Sequence, residues 1–193
     1  MKNETRKLVE SALMIALGTV LSLFKIDMPM GGGVTICSML PLVLLSFRWG
    51  WRWGVGSAFI YSVLQLLLGL DNIGYAAAGG IGMAIACGLL DYVVAYLVIG
   101  FAAIFDKPGR DHRKAMVIGI CVTFFLRFLC HFSTGVWIWG VLWPNELGMA
   151  AIPYSAVYNG TYMGGELVLT VLVSMLIYKP LEKYITAKDI RKA

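Results

Sequence analysis

Residues 121–140 have the sequence CVTFFLRFLCHFSTGVWIWG, an apolar run that is long enough to cross a lipid bilayer. A crossing helix needs about 20 predominantly apolar residues. Arg127 and His131 interrupt the run, and their spacing of four places both on one face of a helix. A charged side chain at bilayer depth costs about 3 kcal/mol even on lenient insertion scales, so such residues usually face a bundle interior and mark a substrate or ion path. The stretch therefore predicts a membrane-spanning helix with one functional face.

The composition of the whole chain indicates the same environment. Of its 193 residues, 59% are hydrophobic and 14% are charged, with a mean hydropathy of +0.78. Soluble domains have about 45–50% apolar and about 25% charged residues. The length suits one compact bundle, so we expect a single transmembrane domain over residues 1–193, whose basic N-terminus leads into an uncleaved first span.

Six apolar segments are predicted to form transmembrane helices, which makes the expected fold an all-α integral membrane protein with one six-helix bundle. They cover residues 8–26, 34–47, 53–70, 77–104, 115–138 and 157–178. The second segment is short for a full crossing. We therefore expect irregular backbone beside it that lines a cavity rather than lipid.

The basic residues predict the orientation of this bundle. With the N-terminus inside, the cytoplasmic segments hold 14 of the 16 lysine and arginine residues, the outer loops hold Lys25, and Arg127 lies within a span. This distribution follows the positive-inside rule and predicts a multi-pass plasma-membrane protein with both termini cytoplasmic. The net charge of +5 is then a consequence of topology, and no nucleic-acid partner is needed to explain it.

Polar side chains within three predicted spans are candidates for a binding site. Asp91 has two interpretations: a buried ion pair with Arg127 that fixes helix register, or a carboxylate that receives a cationic ligand. Arg127 lies one turn deeper than His131 and is interpreted as a structural counter-ion. Tyr154 and Asn159, at the start of the sixth span, offer a hydroxyl and an amide, although residues at a helix start also serve capping and packing.

Aromatic residues beside His131 favour a cationic ligand. Trp137 and Trp139 follow it along the chain, and the faces of tryptophan and tyrosine rings attract cations. A pocket with one acid, one imidazole, an amide and several aromatic rings suits a small, flat, positively charged molecule. From these residues alone, a binding protein and a membrane enzyme with Asp91 and His131 as acid and base both remain open.

Metal and nucleotide chemistry have little support in the sequence. The four cysteines have no CxxC spacing, and the chain has two histidines without an HExxH motif. The glycines at 31–33 lack the lysine and serine of a phosphate-binding loop. We therefore expect no metal, no cofactor and no ATP site.

Four segments in order resemble the thiamine-specific substrate-binding subunits (S subunits) of bacterial energy-coupling-factor (ECF) transporters, the ThiT/YuaJ family. The segments are GGGVTICSMLPLVLLSFRWG (31–50), LLDYVVAY (89–96), RFLCHFSTGVWIWG (127–140) and YSAVYNGTYM (154–163). The resemblance runs over nearly the whole chain. It implies a six-helix bundle that binds thiamine near its outer surface, under the loop joining the first two helices, and that is not an enzyme.

The resemblance also implies a set of substrate-binding residues. They are Asp91, where relatives often have glutamate, together with Tyr92, His131, Trp139, Tyr154, Asn159 and, in the third loop, Tyr75. Asp91 would supply the negative charge for the thiazolium or hydrogen-bond the aminopyrimidine, and Trp139 would stack on a ring. Where some relatives have tryptophan and glutamate, this chain has Gly32 and Ile36, so we expect that part of the pocket to be rebuilt by the backbone of residues 31–33 and by Met30.

The family's partners are a membrane coupling subunit and two ATPase subunits. Members bind the coupling subunit through small residues on the first helix, and the matching row here is Ala12, Ala16 and Val20, of which the last departs from alanine. Small residues at a spacing of four let another helix approach closely, either from a partner or from within the bundle. An S subunit for another vitamin, such as riboflavin or biotin, is the alternative within the same class.

Overall fold

The computed structural model describes residues 2–28 and 32–190. Within these ranges the chain forms seven main helices, a 3₁₀ turn at Ala77–Gly79 and one short β-hairpin. The helices are α1 (Lys2–Leu23), α2 (Leu40–Trp49), α3 (Trp51–Leu68), α4 (Leu70–Ala76), α5 (Ile81–Phe105), α6 (His112–Leu142) and α7 (Ala151–Ile185). The strands are β1 (Lys25–Asp27) and β2 (Gly33–Thr35). The predominantly helical architecture predicted from the sequence is confirmed.

Three helices, α5, α6 and α7, are long and apolar enough to cross a membrane. The pair α3 and α4 would make a fourth crossing if it forms one span, although the two helices are bent by 67° relative to each other. These are measures of length and composition. The number of six crossings and the cytoplasmic position of both termini therefore stay predictions.

The hairpin between α1 and α2 departs from the all-α expectation. Strands β1 and β2 are antiparallel, with Ile26 opposite Val34 and Asp27 opposite Gly33. The second predicted span, 34–47, was wrong in its first part, because helix α2 begins only at Leu40. Two physical causes are visible: the β-branched pair favours strand pairing, and Pro41 suits the first turn of a helix.

Helix α2 is the centre of the core. It has ten residues, about 15 Å of helix, and every residue from Leu40 to Arg48 is buried. A helix that is apolar all round is stable only when neighbours cover every face. Here the other helices surround it, and the short segment therefore lies inside the bundle.

Glycines allow α5 to lie very close to its neighbours. A Cβ atom on Gly100 would come within 2.5 Å of the backbone of Val55 in α3. A Cβ atom on Gly119 of α6 would come within 2.1 Å of the carbonyl oxygen of Ala102. Such close backbone contact is the usual way in which membrane helices pack without large side chains.

A charge cluster ties α1, α2 and the C-terminal segment together at the end of the bundle opposite the hairpin. Arg48 is 2% exposed and donates to both carboxylate oxygens of Glu10 and of Asp189, and to the carbonyl oxygen of Tyr184 at 2.7 Å. We call these four residues the Arg48 cluster. The hydrogen bonds from Arg48 lower the pKa of Asp189 from 3.8 to about 2, against the opposing effect of burial.

Candidate functional site

A cavity of about 570 Å³ opens between the hairpin and helices α4, α5, α6 and α7. Aromatic and small polar side chains make up most of its wall. The lining residues are Lys25, Gly32, Gly33, Thr35, Asn72, Asp91, Tyr92, Tyr96, Arg127, His131, Thr134, Gly135, Trp139, Gly140, Trp143, Tyr154, Ser155, Tyr158, Asn159 and Tyr162. Six of the seven substrate-binding residues expected from the sequence are in this set. The non-helical backbone expected beside the second predicted span also lines the cavity, through the hairpin.

Asp91 lies on an irregular turn of α5 and is 7% exposed. The helix widens into a π-helical segment over Gly88–Val94, a rare conformation that is frequent at functional sites. Nδ1 of His131 lies 3.0 Å from the Asp91 carboxylate, and the hydroxyl of Thr134 donates to the same oxygen. Nε1 of Trp139 donates to the other oxygen at 3.1 Å. Asp91 is therefore held against α6 by hydrogen bonds from Thr134 and Trp139 and by its contact with the imidazole of His131.

Arg127 does not pair with Asp91. Its guanidinium donates to a carboxylate oxygen of Glu166 in α7, and its centre lies 5.0 Å from the ring of Tyr96. The interpretation of Asp91 as the structural partner of Arg127 was therefore wrong. The reason is geometric: Arg127 and Glu166 are both nearly buried and face each other across α6 and α7, whereas Asp91 faces His131, one turn further along α6.

Three tyrosines of α7 form an aromatic wall. Tyr154, Tyr158 and Tyr162 are spaced by four residues, and successive ring centroids are 5.8 and 5.7 Å apart. The wall continues to α6, where the ring of His131 meets that of Tyr162 edge-on at 6.5 Å. These separations are typical of favourable aromatic pairs.

Asn159 links this aromatic wall to α6 through hydrogen bonds. Its Nδ2 donates to the carbonyl oxygen of Ser155 at 2.9 Å and to that of His131 at 3.4 Å, and its Oδ1 accepts from the hydroxyl of Tyr162 at 3.0 Å. Gly135 makes the contact possible, because a Cβ atom there would lie 2.2 Å from the hydroxyl oxygen of Ser155. Both ends of the Asn159 amide are therefore bonded within the protein, although the residue lines the cavity.

The hairpin forms the mouth of the cavity. Gly32 has a left-handed backbone with φ of +73°, and a Cβ atom there would come within 2.7 Å of the Tyr162 ring. Glycine is thus required for the hairpin to lie on the aromatic wall. Ile36 is 47% exposed and is not among the lining residues. The expected contribution of Gly31 and Met30 lies outside the described residues.

Tyr92 and Tyr75 have different positions. Tyr92 is 9% exposed, lines the cavity, and accepts a hydrogen bond from Nδ2 of Asn72 at 2.8 Å. Tyr75 is 58% exposed and does not line the cavity; its ring meets that of Trp143 edge-on at 6.4 Å. Its link to the site is therefore indirect, through the lining residue Trp143.

Several lining residues were not among the substrate-binding residues assigned from the sequence. Tyr158 and Tyr162 could have been assigned to the site, because they continue the spacing of four residues that begins at Tyr154. Thr134 lies three residues from His131, and this spacing also predicts that both residues lie on the same helix face. No sequence pattern predicts that Asn72 lines the cavity, because only the bend between α3 and α4 brings this residue to Tyr92.

The row expected to bind a partner lies on the outside of α1. Ala12, Ala16 and Val20 are all exposed, whereas Ser11, Ile15 and Gly18 form the buried face of the same helix. The alternative in which the row makes contact within the bundle is therefore wrong. An open face of small residues is left for another helix or for lipid.

The comparisons with known proteins agree with one another. The family model described as thiamine transporter protein (Thia_YuaJ) matches residues 8–186. The thiamine transporter ThiT of Bacillus subtilis (strain 168) is 28% identical over 184 residues, which cover 89% of this chain and 90% of that protein.

Two solved structures share the fold. ThiT from Listeria monocytogenes superposes with a TM-score of 0.74 at 20% identity, over 95% of this chain and 98% of that one. The S component of a bacterial ECF transporter superposes with a TM-score of 0.57 at 17% identity, over 94% and 98%. Because the family model spans nearly the whole chain, the chain belongs to the thiamine transporter family, as a multi-pass transporter of the bacterial plasma membrane rather than an enzyme.

Proposed function

We propose that this chain is a single-domain S subunit of an ECF-type transporter and that it binds thiamine in the cavity described above. The observation that carries the proposal is the Asp91 carboxylate in a cavity walled by aromatic rings. The similarity to the thiamine transporter ThiT of Bacillus subtilis and the fold shared with the S component of a bacterial ECF transporter support this assignment.

The charges around the cavity favour a cation. Arg127 is compensated by Glu166, and Lys25 has Asp27 at 3.4 Å. Asp91 is the acidic member of the described cavity lining, and its charge favours the positively charged thiazolium ring of thiamine. Aromatic faces add about 0.5–2 kcal/mol for a cation that is removed from water.

The size and chemistry of the cavity fit the rest of the vitamin. Ligand cavities are about 300–1,000 Å³, and this one has about 570 Å³. In the proposed complex Trp139 stacks on a ring of thiamine, and His131, Tyr154 and Asn159 face its polar edges. Tyr92, held by Asn72, completes the wall on the α5 side.

The proposed topology places the hairpin at the outer surface. The bundle crosses the membrane six times, both termini are cytoplasmic, and thiamine enters from outside beside the hairpin. A coupling subunit approaches the exposed row of Ala12, Ala16 and Val20, and two ATPase subunits supply the energy for release inside.

Titration of the purified protein with vitamins tests the proposal. The chain has six tryptophans, and Trp139 and Trp143 line the cavity, so thiamine is expected to quench the fluorescence at nanomolar concentration. Riboflavin and biotin serve as controls and should have no effect. A folded protein that ignores thiamine, or that binds riboflavin or biotin equally well, contradicts the proposal.

A further inference from the structure

The carboxylate of Asp91 is contacted by four side chains of the chain itself. One oxygen accepts from the hydroxyl of Thr134 and has Nδ1 of His131 at 3.0 Å. The other oxygen accepts from Nε1 of Trp139 at 3.1 Å and from Sγ of Cys87 at 3.7 Å. An ionised carboxylate offers about four lone-pair positions, so a ligand donor would compete with these four contacts.

We propose that Asp91 is a positioning residue, which acts on the ligand through His131 and Trp139 rather than through a hydrogen bond of its own. The inference rests on the proposed function, because the ligand considered is thiamine in the same cavity. The charge of Asp91 still favours the thiazolium across the cavity. Its contacts, however, hold two neighbouring rings in place.

The first of these rings is the imidazole of His131. A carboxylate can only accept, so in a neutral imidazole the nitrogen that lies against it, Nδ1, carries the proton and Nε2 is the acceptor; the inference concerns this neutral form. Nε2 is buried and has no hydrogen-bond partner in residues 2–28 and 32–190. A buried acceptor without a partner is unfavourable. The exocyclic amino group of the thiamine pyrimidine is a donor that supplies the missing bond.

The second ring is the indole of Trp139. Its N–H is bound to Asp91, which fixes the plane of the ring on the wall of the cavity. Trp139 closes a π-helical segment, Gly135–Trp139, a rare conformation that is frequent at functional sites. Stacking on a ligand ring requires a fixed plane, so the indole bond to Asp91 pre-organises the site.

Nitrogen NMR of the ligand-free protein tests the tautomer of His131 directly. The chain has two histidines, so ¹⁵N-histidine labelling gives two imidazole signal sets, and His112→Gln identifies the set of His131. His112 lies outside the cavity and is the internal control. We expect His131 to be protonated at Nδ1 in the wild type and to become a mixture of tautomers in Asp91→Asn, with His112 unchanged. A purely structural role for Asp91 would not move this signature.

Binding measurements test the consequence for the ligand. Oxythiamine has an oxo group in place of the amino group of thiamine, so it cannot donate to Nε2. We expect the wild type to bind oxythiamine about tenfold to a hundredfold more weakly than thiamine, the size of a lost hydrogen bond in a buried site. In His131→Phe this discrimination should fall to about threefold or less. Equal discrimination in both proteins would overturn the inference.

A double-mutant cycle separates positioning from direct contact. If Asp91 acts through His131, the losses in thiamine affinity for Asp91→Asn and His131→Phe are strongly non-additive, because the charge effect of Asp91 cancels in the cycle. Additive losses, or a wild-type His131 protonated at Nε2, overturn the inference while thiamine binding stands. Absence of thiamine binding by a folded wild type instead overturns the proposed function, and the NMR result is then independent of it.

Discussion

Arg127 of α6 and Glu166 of α7 form an ion pair inside the bundle, with side-chain exposures of 5% and 1%. The hydroxyl of Thr35 in β2 donates to the second carboxylate oxygen of Glu166. The pair therefore connects the hairpin at the cavity mouth with the two helices that form the cavity wall. This contact explains how a charged residue can persist within a membrane-spanning segment.

Removal of one partner of this pair should destabilise the protein strongly. Glu166→Gln leaves the Arg127 charge buried without compensation, and we expect a loss of about 3 kcal/mol in the free energy of unfolding, measured by denaturant or thermal unfolding in detergent. The double substitution Arg127→Met with Glu166→Leu should recover most of the loss, because no charge is then left unpaired.

Glu182→Gln is the matched control for this experiment. Glu182 pairs with Lys188 at 2.7 Å, but both side chains are about half exposed, with values of 45% and 58%. Water screens such a pair, so no measurable change in stability is expected. A Glu166→Gln protein as stable as this control would show that the buried pair does not hold the helices together.

The hairpin should tolerate no side chain at Gly32. Gly32→Ala adds a Cβ atom 2.7 Å from the Tyr162 ring and strains a backbone with φ of +73°. We expect the hairpin to shift from the aromatic wall, with about tenfold weaker thiamine binding and faster release, measured by stopped-flow fluorescence.

Gly109→Ala separates the two causes of the Gly32 effect. Gly109 also has a left-handed backbone, with φ of +81°, but no atom lies within 4 Å of its added Cβ, and it is not among the cavity-lining residues. Its substitution strains the chain without touching the wall, so thiamine affinity should be unchanged. If both variants lose affinity alike, the effect is one of general stability and the contact with Tyr162 is irrelevant.

The sequence predicted the helices because their apolar runs are long, but it could not predict how the charges pair. Asp91 and Glu166 were both available to Arg127, and only the relative rotation of α5, α6 and α7 selects Glu166. The π-helical segments at Gly88–Val94 and Gly135–Trp139 change the relative rotation of these helices, and no residue pattern predicts where such segments occur.

The hairpin was missed for a different reason. Its strands have three residues each, too short for an alternating pattern to be recognised, and they depend on tertiary contacts such as that of Thr35 with Glu166. Asp91, His131, Tyr154 and Asn159 were candidates from the residue pattern alone, and the resemblance to known S subunits added Tyr92, which also lines the cavity. The resemblance did not place Tyr75 correctly, because this residue lies on the short helix α4, whose bend relative to α3 could not be predicted from the sequence.

The aromatic wall should contribute to affinity through Tyr158. Tyr158→Leu removes the middle ring of the series Tyr154, Tyr158, Tyr162, and we expect thiamine binding to weaken about threefold to thirtyfold, the range of a cation–π contact. Tyr75→Leu makes the same change at a ring outside the cavity and should alter affinity by about twofold or less. A large effect of Tyr75→Leu would instead place this residue in the bound complex.

The Arg48 cluster should make the free energy of unfolding depend on pH in the acidic range. Because the pKa of Asp189 is lowered from 3.8 to about 2, its contribution is present above its ordinary pKa and is lost as the pH falls through about 2. The stability difference between the wild type and Asp189→Asn should be constant above about pH 5 and should shrink towards pH 2. Thermal unfolding across this range measures it, and a difference independent of pH contradicts the assignment of the shift to Asp189.

The exposed row on α1 should matter for transport but not for binding. Ala16→Trp blocks close approach of a second helix, so we expect uptake of labelled thiamine by whole cells to fall about tenfold or more while the thiamine Kd of the purified subunit is unchanged. Leu176→Trp is the control, since Leu176 is 76% exposed on α7 and accepts the same large ring away from the row. Val20→Ala completes a row of small residues and should leave uptake equal to or above the wild-type level. Normal uptake by Ala16→Trp would show that the coupling subunit docks on another face of the bundle.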